Sequence, residues 1–177
     1  MEYNKRILHC QTIGFIMIIL GIDPGIGRTG WGVISSHNAT QQVHRYGCIE
    51  THKTTVGEKR LQELYEQVVT IIQGEKPDAI AIEELFFNTN VSTALTVGQA
   101  RGVILLAAAQ SDIPIAVYTP LQVKIAVTGY GRADKKQVGH MIKTILKLSS
   151  IPTPDDTADA LAIALTHAFS IKMLLKK

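Results

Sequence analysis

Cysteine is scarce in this 177-residue sequence. Cys10 and Cys48 are the only two, and they do not form a CxxC pair. Two cysteines cannot staple a disulfide scaffold, so a reducing, cytoplasmic compartment is expected. A long apolar run is also missing. The longest, Ile13 to Ile22, is interrupted by Gly14 and Gly21 and stops at Asp23. A membrane-spanning helix needs ~20 apolar residues, so no membrane role is expected. No HxxxH or HExxH pair and no GxxxxGK[ST] loop occurs, which leaves zinc hydrolase and P-loop NTPase chemistry without support. Charged residues make up only 19% of the chain and the net charge is +3. That is too little charge for a disordered chain, and the net value says almost nothing about partners. What is present is a 46% hydrophobic composition over a length that fits one domain with a core of its own.

The charge is unevenly spread. Leu121 to Ser150 carries six basic residues (Lys124, Arg132, Lys135, Lys136, Lys143, Lys147) against Asp134, whereas Glu50 to Asn90 carries eight acids and four bases. A basic segment beside an acidic one is compatible with a nucleic-acid surface near a metal site, but on charge alone ordinary solvated helix faces are the favoured reading.

Residues 1–16 lack the pattern of the rest. His9, Cys10, Gln11 and Thr12 break any signal-peptide reading, so this stretch is expected to be an extension, with the domain running from 17 to 177. Met17 to Ile22 reads as a strand buried on both faces, ended by Asp23-Pro24-Gly25. Two further strands follow, Thr29 to Ser35 and near Val43 to Thr51, in an antiparallel meander. Apolar residues from Leu61 to Ile72 then recur at helical spacing, with Gly74 and Pro77 as the expected stop. Ala79 to Ile82 is a fourth strand ending on Glu83. A long helix is expected over Asn90 to Gln110 and a fifth strand over Ile113 to Tyr118. Three helices follow, at Leu121–Val127, Ala133–Leu148 and Asp156–Leu174. The order predicts an α/β domain: a mixed five-stranded sheet, three strands in a meander and the others parallel, with helices on both faces.

The acids fall at telling places. Asp23 and Glu83 each close an apolar strand, where a carboxylate is costly unless it is paired or binds a cation. Asp156 and Asp159, with Asp155 beside them, open the last helix, and their i, i+3 spacing puts them on one face. Each has a structural alternative. Asp23 can close a turn, Glu83 or its neighbour Glu84 can be surface charge, and Asp155 and Asp156 can cap the helix. Together they match an oxygen-only ligand set for a hard divalent cation, which retains several waters and needs only three or four carboxylates. Two such ions can activate water and stabilise the leaving oxygen of a phosphodiester.

The motifs themselves are specific. Gly21-Ile22-Asp23-Pro24-Gly25 with Thr29-Gly30-Trp31-Gly32 resembles the opening of RuvC-type Holliday-junction resolvases. Ala81-Ile82-Glu83-Glu84-Leu85-Phe86 resembles their second acidic motif, and Ala94-Leu95 through Gly98-Gln99-Ala100-Arg101-Gly102 their central helix. Asp156-Thr157-Ala158-Asp159-Ala160-Leu161-Ala162 with Thr166-His167 resembles their carboxy-terminal motif. The matches run in family order over about residues 17–168. The resemblance implies a ribonuclease-H-like fold and a homodimer that cuts four-way DNA junctions in recombination and repair. It further implies two magnesium ions, with manganese as a substitute, and nicks carrying 5′-phosphate and 3′-hydroxyl ends.

Carried over by motif, the catalytic and metal-holding acids are Asp23, Glu83, Asp156 and Asp159. Asp23 is expected between the two ions, and Asp156 ranks ahead of Asp159 for the closer contact. Phe86 falls where the family places an aromatic that stacks on an unpaired base, though a core position for Phe86 or Phe87 fits the sequence too. Lys124 and Lys135 match basic positions near the DNA phosphates, and Arg101 is a further candidate. His140 and His167 are not needed as ligands. A branch-migration helicase complex of RuvA and RuvB proteins is the implied partner. Two competing readings remain: a ribonuclease-H-like nuclease for RNA–DNA hybrids or other branched DNA, and a non-catalytic junction-binding module. An actin-like sugar kinase is a poor fourth reading, because 177 residues cannot hold its two lobes.

Overall fold

The computed structural model describes residues 16–38, 40–84 and 91–174, with side chains described for all of these except 91–93 and 172–174. The elements run β1 (Met17–Asp23), β2 (Arg28–His37), β3 (Thr40–Glu50), α1 (Gly57–Glu75), β4 (Ala79–Glu83), α2 (Val91–Gln110) and β5 (Ile115–Tyr118). Three helices complete the chain: α3 (Pro120–Thr128), α4 (Lys135–Ile145) and α5 (Asp155–Leu174). The five strands form one sheet in the order β3-β2-β1-β4-β5. β1 pairs antiparallel with β2, and β2 with β3. β4 lies parallel to β1 and β5 parallel to β4. The mixed sheet expected from the element order is therefore the one found.

The sheet is covered on both faces. Leu20, Ile22, Val33, Ile80 and Ile82 pack against Leu64, Val68 and Ile72 of α1 and Ala100, Ile104 and Ala107 of α2. Ile19, Ile34 and Ala81 point the other way, toward Ala158, Leu161, Ala162 and Leu165 of α5, with α3 and α4 packed outside. Successive residues of β1 alternate between the two clusters, as the two-residue period of a strand requires. This explains why β1 and β4 read as unbroken apolar runs.

Several boundaries differ from the expected ones for identifiable reasons. α1 begins at Gly57 and runs through Gly74; its stop is Lys76, left-handed at φ 47, whose amide bonds to Ile72 O. β5 begins at Ile115 because the Ile113 amide closes the end of α2 on Ala108 O (3.0 Å). α4 starts at Lys135 because Asp134 caps it in a reciprocal box with Gln137, and it stops at Ile145, three residues short of Leu148. Thr119 makes the same kind of box with Gln122 at the start of α3. Each box satisfies two amides that a helix start would otherwise leave unpaired. β3 alternates poorly because the ladder slips between Val33 and Ile34, placing an extra residue opposite β2.

Candidate active site

Three glycines bring α5 down onto the sheet. A Cβ on Gly30 would collide with the Asp156 carbonyl, one on Gly21 with the backbone of Ala160 and Ala164, and one on Gly32 with Leu161. At Gly21 and Gly30 only hydrogen fits, so the helix backbone lies directly on β1 and β2 there, whereas a Cβ on Gly32 would push the Leu161 side chain aside. Asp23 pairs with Gly30 in the β1–β2 ladder. The first turn of α5 therefore rests beside Asp23. Gly21 and Asp23 share a face of β1, and Ala81 and Glu83 share that same face of β4. The β1–β4 register pairs Ile22 with Ile82, so one residue further along Glu83 comes level with Asp23. Two strand ends and one helix start deliver four acids to one place.

Their electrostatics follow from that proximity. Burial raises the Asp23 carboxyl from 3.8 to about 8, with Asp159, Glu83 and Asp156 adding to the rise in that order and Lys135 opposing it. Burial likewise pushes Glu83 up, helped by Asp159 and opposed by Lys135 and Lys124. Asp159 is raised by burial against the pull of Lys135, whose ammonium sits 3.2 Å from Asp159 Oδ2. Arg28 Nε sits 3.0 Å from Asp156 Oδ2, yet that oxygen is buried and accepts no hydrogen bond of proper geometry among the described residues.

Like charges gathered in a half-buried place cannot all ionise cheaply without a cation. The donor set is oxygen-only and rimmed by Arg28 and Lys135. It fits a hard divalent ion that brings its own waters. Among the described residues no three acidic, histidine or cysteine side chains close into a ready-made cage.

The model of the family described as crossover junction endodeoxyribonuclease RuvC matches residues 19–167. The chain belongs to the RuvC family. Relatives bearing the same description include those of Rubrobacter xylanophilus, 53% identical over 88% of this chain and 87% of the relative, and Desulforamulus reducens, 55% identical over 86% and 93%. Among solved structures, Thermus thermophilus RuvC in complex with a Holliday junction substrate is 37% identical, with a TM-score of 0.85 over 89% of this chain and 96% of that one. The yeast mitochondrial resolvase Ydc2, at 14% identity and a TM-score of 0.64, covering 89% of this chain and 82% of its own, shares the fold.

Of the residues singled out in the sequence, Asp23, Glu83, Asp156 and Asp159 are brought together, with Lys124 and Lys135 beside them. Phe86 and Phe87 lie outside the described residues. Arg101 sits on α2, which packs on the opposite face of the sheet from the acids, and its Nε is buried without a hydrogen bond among the described residues. His140 is exposed on α4. His167 is buried, and its Nδ1 shares a 2.8 Å hydrogen bond with the Tyr118 hydroxyl. Burial lowers its pKa to about 4, so it is a neutral core histidine tying α5 to β5. Sequence reasoning missed Arg28. The available signal was its place two residues before Gly30, on the same face of β2, beside the loop that follows Asp23.

Proposed function

We propose that this RuvC-family chain, through residues 17–177, resolves four-way DNA junctions by nicking two opposed strands. The observation that carries the reading is the convergence of Asp23, Glu83, Asp156 and Asp159 beside the glycine-lined seat of α5. These four carboxylates hold divalent cations, two magnesium ions with manganese as a substitute, which supply water activation and charge stabilisation at the leaving oxygen. Lys135 and Lys124 offset the charge of the acids and meet the phosphates of the incoming strand. Arg101 is a further contact with the DNA, and Phe86 stacks on a base exposed at the crossover. Stacking of that kind is worth ~1–3 kcal/mol per base.

A junction must be cut on two strands of like polarity, and a two-fold homodimer presents two sites related by the substrate's own symmetry. α2 carries a stripe suited to that contact. Leu95 and Leu106 are 64% and 52% exposed, Gln99 lies between them, and Gly102 opens onto free space. The branch-migration helicase complex of RuvA and RuvB proteins is the proposed partner in recombination and repair. Among the described residues no helix is long and apolar enough to cross a membrane.

The test is a nicking assay on a synthetic four-way junction, a linear duplex and an RNA–DNA hybrid, with and without magnesium. Paired, magnesium-dependent nicks in the junction are expected. Asp23→Asn should abolish them while leaving junction binding intact. Equal cutting of all three substrates, or undiminished nicking by the variant, would refute the reading.

A further inference from the structure

Arg28 has no part in the function so far. It opens β2 and shares the α5 face of that strand with Gly30 and Gly32. Its Nε faces Asp156 Oδ2, while its side chain stays 55% exposed. A guanidinium carries five donors in a rigid plane. Nε lies at ion-pair distance from the acid without an aligned hydrogen bond, and more than half of the side chain is open to solvent.

The cations around the site are arranged on two flanks. Lys135 contacts Asp159, and the charge of Lys124 acts on Glu83 of β4. In the sheet, β2 lies on the other side of β1 from β4, so Arg28 stands across the carboxylates from Lys124. Arg60 extends this second flank. Its Nη2 would lie 3.5 Å from a Cβ on Gly27, and its Nε donates to Thr51 Oγ1 at 2.9 Å. Thr51 in turn holds the loop after Asp23, its amide donating to Gly27 O (3.1 Å) and its hydroxyl to Ile26 O.

Four carboxylates repel a polyanion. A DNA strand laid across them needs positive charge on both sides of the bond being cut, and the lysines supply one side. We propose that Arg28, backed by Arg60, supplies the other: its exposed side chain binds a backbone phosphate of the DNA strand next to the scissile one. This rests on the cluster being a DNA-cleaving site, and the test below separates the two.

Equilibrium binding of a four-way junction and of a linear duplex is measured in chelator, so that no strand is cut, across a series of salt concentrations. A charge-assisted phosphate contact is worth about tenfold or more in affinity, and each phosphate contact contributes about 1 to the log–log salt slope. Arg28→Ala and Arg28→Gln should therefore weaken binding to both DNAs about tenfold and flatten the slope by about 1, while Arg28→Lys keeps the slope. Arg28→Gln and Arg28→Lys preserve most of the side-chain volume and serve where the alanine variant folds poorly. Wild-type affinity and slope in Arg28→Gln, with or without a changed melting temperature, would overturn the proposal and leave Arg28 as a residue that serves Asp156 alone. Failure of the wild type to prefer the junction would instead refute the junction reading, while the duplex slope still reports on Arg28.

Discussion

The two faces of the sheet are built on opposite principles. Against α1 and α2 the strands present bulky side chains, Leu20, Ile22, Val33, Ile80 and Ile82, which keep helices and sheet apart by a full layer of packing. Against α5, beyond Ile19 and Ile34, the strands present Gly21, Gly30 and Gly32, and at Gly21 and Gly30 helix backbone touches strand backbone. The first face is held by side-chain packing throughout and supplies stability that tolerates adjustment, since a loose contact costs energy but misplaces no chemistry. The second face gives up that packing near the active site and gains position. A helix seated on backbone has little room to slide, and its first two turns carry two of the four acids.

That contrast predicts different failures. The largest effect is expected at Gly30. Gly30→Ala pushes a methyl group into the Asp156 carbonyl and displaces the first turn of α5. A misplacement of about 1 Å costs about a hundredfold in rate, so nicking should fall at least that far in protein that remains folded. Leu64→Ala, under the other face, should lose about 2–5 kcal/mol of stability and keep near-wild-type nicking per folded molecule. Single-turnover nicking beside urea denaturation measures both. Equal loss of nicking in the two variants would break the comparison.

A second, intermediate effect is a pH dependence belonging to the α5 face alone. Asp23 titrates at about 8 in the folded metal-free protein and near 3.8 unfolded. Between those values the folded state holds a proton that the unfolded state has released, so stability falls as pH rises through this window. His167 works in the opposite direction. Its folded value of about 4 lies below the ordinary 6.5, so it contributes stability that is present above pH 6.5 and lost as pH falls toward 4. The two slopes oppose each other in the acid range, where the raised Glu83 and Asp159 add to the falling one. From about pH 6.5 to 8 the Asp23 slope stands without that opposition. Melting temperatures of metal-free protein should therefore decline over pH 6.5–8, and Asp23→Asn should flatten the decline. An unchanged decline in that variant would remove Asp23 as its cause.

The smallest expected effect concerns the approach of the basic flank. Asp134 caps α4 one residue before Lys135, its Oδ1 accepting from the Gln137 amide at 2.8 Å. Asp134→Ala should cost ~1 kcal/mol, the usual worth of such a cap, and a loss of that size can be read from chemical denaturation. It should weaken DNA binding only slightly, since Lys135 keeps its charge. A large binding defect would assign Asp134 more than a capping role.

Much of this architecture was legible beforehand. The alternation of β1 between two buried faces, the closing acids Asp23 and Glu83, and the i, i+3 pair Asp156 and Asp159 are local patterns that survive folding unchanged. Boundaries were less legible where they depend on a hydrogen bond made elsewhere, as at Ile113, or on a left-handed residue that is not glycine, as at Lys76. Arg28 escaped notice because a single arginine at a strand start has no periodicity to mark it. Its meaning comes from Asp156, 128 positions further along the chain.

Strand and helix identity, the mixed sheet and the four acids follow from residue order, because side-chain period and turn chemistry act over a few neighbouring residues. The meeting of those acids does not. It depends on three glycines, in two strands, clearing the seat for a helix that begins more than a hundred residues later. The pairing of Arg28 with Asp156 and of Lys135 with Asp159, and the high pKa of Asp23, arise from that seating. Burial and like charge perturb a carboxyl only once the chain has brought its neighbours within reach.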